Sequence, residues 1–172
     1  MSSTATLAPV LRRLYFVRFG FALVWAALLF TSASELGPVS VALLVLYPLF
    51  DVVAAVIDLR SSEKAPGLYV NIAISALAGI GLVFAAASGI PAVLRVWGVW
   101  AIASGLVQLA VGLGRRRLGG QWAMIASGAI STLAGTAFVL QAAQPDASLL
   151  NLAGYAVLGG IFFLVSAIRL GR

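Results

Sequence analysis

Polar residues cluster at a few points along this chain, and between the clusters the sequence stays apolar. The uninterrupted stretches predict helices over residues 14–32, 39–59, 68–87, 91–113, 121–142 and 149–168. None alternates with period two, which argues against strands. At 1.5 Å per residue, each is long enough to cross a hydrocarbon layer about 30 Å thick. The expected fold is all-α, a six-helix transmembrane bundle forming one domain over residues 1–172. Arg12-Arg13, the first apolar run and Thr31-Ser32-Ala33-Ser34 together imitate a secretory signal. That apolar run is longer than a signal's and has counterparts further on, so it is expected to stay as a helix.

Composition turns this pattern into a statement about solvent. The 172 residues are 62% hydrophobic and 9% charged, with a mean hydropathy of +1.09. Soluble domains carry roughly 25% charged residues, so this chain lacks the polar side chains to cover a water-facing surface. In lipid every backbone polar group must be paired internally, which leaves helices or a closed barrel. There is no cysteine and no histidine. Disulfides, thiolate metal sites, cysteine nucleophiles and the usual general base are thereby excluded. No cofactor, metal or catalytic residue is expected, and the chain is read as a non-enzyme.

The net charge of +6 does not call for nucleic acid, because the basic residues mark one set of connections. Arg12 and Arg13 precede the first helix, Arg60, Glu63 and Lys64 follow the second, Arg115, Arg116 and Arg117 follow the fourth, and Arg169 and Arg172 close the chain. The other three connections hold Glu35, no charge, and Asp146. The positive-inside rule therefore predicts a multi-pass protein of a bacterial inner membrane with both termini cytoplasmic. The arginine triplet is also expected to meet anionic lipid.

Spacings of one length recur. Tyr15, Tyr69 and Trp122 follow each other at 54 and 53 residues, and Pro38, Pro91 and Pro145 at 53 and 54. The pairs Ser75/Gly79 and Ser131/Gly135 match, as do Ala101/Gly105 and Ala156/Gly160. Three helical hairpins are expected, over 14–59, 68–113 and 121–168, as parallel repeats about an axis along the membrane normal. The aromatics suit the headgroup boundary. The small residues four apart suit close helix packing, within one chain or in a homo-oligomer.

Few side chains carry chemistry. Asp51 lies about 12 Å inside its helix end, where a carboxylate persists only when buried, paired or protonated. Arg18 and Asp58 approach from the same side, and Arg18 falls in depth between the two aspartates, so it is expected to pair with one of them. Arg95 is the one basic residue of the other half, near Glu35, with Trp97 and Trp100 placed to form an aromatic belt. Asn71, Gln108, Gln121 and Asn151 are expected to bond across helices. Gly112-x-Gly114 and Gly119-Gly120 lack the strand and Lys-Ser/Thr of a phosphate loop.

Residues 108–140, QLAVGLGRRRLGGQWAMIASGAISTLAGTAFVL, combine a helix end, a basic turn, Gly-x-Trp and a helix bearing glycine and serine. With Trp100, Ser104 and Gly105 before it, this run resembles the repeat of the HdeD-like family, six-helix bacterial membrane proteins linked to acid resistance. The first hairpin departs from the pattern at Phe21, Trp25, Tyr47 and Asp51. The resemblance implies the topology and a role in acid or envelope stress, and it carries over no site residue. The residues by themselves leave a second reading, a small proton-coupled transporter or channel using Asp51.

Overall fold

The protein was analysed as a computed structural model, which describes residues 3–61, 66–118 and 121–170, with side chains for 9–61, 66–117 and 121–170. Six α-helices follow in chain order: α1 (Ser3–Ser32), α2 (Pro38–Ser61), α3 (Pro66–Ala86), α4 (Ile90–Gly114), α5 (Gln121–Gln141) and α6 (Leu150–Arg169). All six are long and apolar enough to cross a membrane, α1 through its segment Pro9–Ser32. Glu63, Lys64, Gly119, Gly120 and Arg172 lie outside the described residues.

Proline and glycine set several helix starts. Pro38 and Pro66 open α2 and α3, and Pro91 sits in the first turn of α4, positions where a missing N–H removes no helical bond. Gly89 before α4 has φ 94°, a left-handed conformation that glycine adopts without a Cβ clash. The first helix begins earlier than the apolar run predicts. It takes in Pro9 and both Arg12 and Arg13; the exposed arginines are good helix formers, while Pro9 withholds one backbone N–H from the helix.

Consecutive helices run antiparallel, and each packs on its chain neighbours while α6 closes on α1, giving a ring of six. The start of α1 with Arg12 and Arg13, the end of α2 with Arg60, the turn of Arg115, Arg116 and Arg117 after α4, and the end of α6 with Arg169 fall at one end of the ring, called here the basic end. The closest pairs are α4/α5, α1/α6 and α2/α3, which join different sequence hairpins rather than the two arms of one. The α4/α5 contact shows why. Gly98 faces Gly135, Gly105 faces Gly128 and Gly112 faces Ile125. A Cβ at Gly135 would stand 2.5 Å from the Gly98 carbonyl, and one at Gly105 2.7 Å from that of Gly128. Backbones meet here with no side chain between them, the arrangement by which helices associate when lipid removes the hydrophobic drive.

The polarity of the ring is that of a membrane protein. Val24, Phe30, Leu77, Phe84 and Leu133 are exposed around the outside, whereas Asp51, Asp58, Asn71, Gln121, Ser127 and Ser131 are buried within it. A soluble bundle would place these the other way round.

Candidate functional site

The half of the ring toward the basic end encloses an axial cavity of about 90 Å³, lined by residues of all six helices. Its floor is formed by Tyr47 and Trp100, and its far reach by Asp58, Arg115 and Gln121 where α2 and α4 end and α5 begins. At roughly 30 Å³ each, about three waters fit this volume.

Two ion pairs organise the wall. The Arg18 guanidinium Nη2 donates to Asp51 Oδ1, and the arginine also lies 4.3 Å from the centre of the Phe163 ring. The other Asp51 oxygen accepts from Asn71 Nδ2 at 2.7 Å and from the Ser75 hydroxyl at 2.9 Å. Trp100 Nε1 in turn donates to Ser75 Oγ at 2.9 Å. One carboxylate thus gathers donors from α1 and α3, and α4 joins through Ser75. A charge at this depth is stable only when so completely partnered. The second pair is Arg115 Nη1 to Asp58 Oδ2 at 2.9 Å. On the opposite wall the Tyr155 hydroxyl donates to Ser131 Oγ at 2.9 Å, and Gln108 Nε2 to the Met124 carbonyl at 3.2 Å.

The other half of the ring is dry. Trp25, Leu29, Leu44, Leu82, Leu94, Trp97, Leu149 and Leu152 fill it with Tyr47 and Trp100. Trp97 stacks on Trp25 at 5.4 Å and meets Trp100 edge-on at 5.2 Å, while Tyr47 packs against all three indoles. Such offset and edge contacts are favourable beyond the area they bury. Trp25 Nε1 donates to the Leu43 carbonyl at 2.7 Å. Trp97 Nε1 is the one buried side-chain polar atom without a hydrogen-bond partner among the described residues.

Several sequence expectations change. Trp97 and Trp100 do not form a belt at the membrane boundary; they are 0% and 6% exposed, drawn inward by the ring cluster. Tyr15 leaves the boundary as well, and lies 5.8 Å from Phe163 at the cavity wall. Tyr69 and Trp122 are exposed. Arg18 had two aspartates in reach and takes Asp51, because Arg115 folds back from its triplet onto Asp58. Arg116 and Arg117 remain exposed. Arg95 is exposed and forms no ion pair with Glu35.

The small-residue pairs divide. Gly105 and Gly135 carry the α4/α5 contact, Gly79 packs on Leu49 of α2, and Gly160 on Ala22 of α1. Ala101 and Ala156 are buried beside their glycines. Ser75 and Ser131 act through their hydroxyls. Asn71, Gln108 and Gln121 all reach the cavity, while Asn151 borders a shallow lipid-facing recess between α5 and α6. Sequence reasoning missed Tyr47, Ser127, Tyr155 and Phe163 as lining residues. A weak signal existed: Ser127 and Ser131 are one turn apart on a helix whose opposite face holds Leu133 and Leu140.

No protein-family model, curated protein or solved structure matches this chain.

Proposed function

We propose that this chain is a small solute transporter or channel of a bacterial inner membrane, with its basic end and both termini cytoplasmic and its cavity open to that side. The observation that carries the reading is a polar cavity on the ring axis, reaching Asp51 from the basic end and closed beyond Trp100 by aromatic packing. Polar groups inside a membrane are costly and mark substrate paths, and clefts between bundle helices are where small ligands bind. A protein acting through packing alone has no use for fourteen or so such lining groups when leucine would serve. Asp51 and Arg18 hold the wall of the path. The arginine positions support the orientation. The run at 108–140 supports an HdeD-like kinship within the same proposal, with acid or envelope stress as the setting in which the path operates. The reading is non-catalytic.

Filling the cavity tests it. Ser127 lines the cavity and Leu133, six residues along the same helix, is exposed on the outside of the ring. Reconstituted wild-type protein should raise the solute permeability of liposomes, Ser127→Phe should abolish that increase, and Leu133→Phe should leave it intact, with matching elution profiles for all three. Wild-type vesicles no more permeable than protein-free ones, across neutral and charged solutes, would end the proposal.

A further inference from the structure

Resting on the transport reading, we infer that the solute is small, uncharged and hydrogen-bonding, a molecule of the size and chemistry of urea or glycerol, and that it leaves the cavity past the indole of Trp97. The charges of the wall are already matched. Two arginines and two aspartates line the cavity and pair one to one. Both oxygens of Asp51 are engaged, by Arg18 on one and by Asn71 and Ser75 on the other. An entering ion would find no opposite charge unless it broke a pair, and the abandoned partner would then stand alone in a low-dielectric interior.

The groups left for a ligand are neutral. Tyr47 and Ser127 line the cavity, and their hydroxyls have no hydrogen-bond partner among the described residues. The Gln108 amide spends one N–H on the Met124 carbonyl and keeps its own carbonyl oxygen as an acceptor. Hydroxyl and amide groups of this kind replace the water around an uncharged polar molecule without separating charge. The cavity volume sets the size, a few non-hydrogen atoms.

Trp97 carries the argument beyond the floor. It sits behind Trp100 and Tyr47, at 5.2 and 5.7 Å between ring centres, on the axis toward the far end. Its N–H is buried and unpartnered, although its neighbours Trp25 and Trp100 both have acceptors. A buried donor left open is costly, and a passing carbonyl or hydroxyl oxygen would satisfy it. Among the described residues the buried charged side chains, Asp51 and Asp58, both line the cavity, so a bare ion crossing the dry segment would have no counter-charge.

The full chain in proteoliposomes decides the matter by light scattering after urea and glycerol gradients, alongside dyes for chloride, potassium and protons. Urea or glycerol should enter faster than in protein-free vesicles, and the three ions should not. Trp97→Phe should slow that entry roughly fivefold to tenfold, the loss of one neutral hydrogen bond, while eluting from a sizing column as the wild type does. Asp51→Asn frees the Arg18 charge on the cavity side only and should leave chloride excluded, because the dry segment beyond still offers no counter-charge; a chloride leak in this variant would overturn that barrier. Permeability confined to an ion overturns the inference while the transport reading stands. Neutral flux unchanged in Trp97→Phe overturns the route. No flux of any solute removes both.

Discussion

The two halves of the ring solve opposite problems with the same helices. Toward the basic end, the interior holds Arg18, Asp51, Asp58 and Arg115 in two pairs around a cavity. In the other half, four aromatic rings and a shell of leucines leave no such space. The polar half is specified by direction: each donor must meet a particular acceptor, and a lost partner strands a charge. The dry half is specified by shape, since dispersion contacts are individually small and tolerate exchange if volume is kept. A single substitution should therefore do most damage where charge is paired.

The largest effect is expected at that pair. Asp51→Leu strands the Arg18 guanidinium and the Asn71 amide together, and Arg18→Met strands the carboxylate. Removing one partner of a buried pair costs about 3–5 kcal/mol. Asp51→Leu should fall near the low end, because Arg18 is 18% exposed toward cavity water and keeps its contact with the Phe163 ring. The double variant should recover at least half of the summed loss, read as unfolding free energy in mixed micelles. Additive losses would mean that the two side chains do not act as a pair.

The glycine seam between α4 and α5 runs through both halves and should ignore the difference between them. Gly135 lies in the dry half and Gly128 near the cavity, yet a Cβ on either meets a facing carbonyl, at 2.5 and 2.7 Å. Backbone cannot yield as a flexible side chain does, so Gly135→Ala and Gly128→Ala should each cost about 1–3 kcal/mol. Gly154→Ala, with nothing within 4 Å, should be neutral or slightly stabilising through helix propensity. A cost at Gly128 far below that at Gly135 would mean that the cavity side of the ring relaxes, and that the polar half is the softer one.

These contrasts also explain what could be read without coordinates. Six membrane-crossing helices were legible because lipid imposes one long apolar run per crossing and tolerates little else. The meeting of Arg18 with an aspartate was legible from depth alone, since two charges on adjacent antiparallel helices at similar depth have few other options. The cavity was not. Its wall is built from single serines, tyrosines and glutamines on six helices, and each is unremarkable until the faces are known. Trp97 and Trp100 misled for a related reason: a tryptophan near a helix end suits the headgroup boundary as well as a buried cluster, and only the rings opposite decide. The seam was hidden by the period chosen. Pairs four apart drew notice, while the contact uses glycines seven apart, at 98, 105 and 112 against 128 and 135, the spacing that keeps two helices in register over several turns.

The smallest expected loss falls on the residue where the halves join. Trp100 packs its ring against Trp97 and Tyr47 and gives its N–H to Ser75, which itself donates to Asp51. Trp100→Phe keeps one aromatic ring but removes the link and part of a buried indole, so the loss should be about 1–2 kcal/mol. The change should couple to Asp51→Asn, since both act through Ser75, and add independently to Gly135→Ala, which touches neither. Equal coupling to both would show that the ring responds as one packed body. The boundary between a wet half and a dry half would then have no energetic meaning.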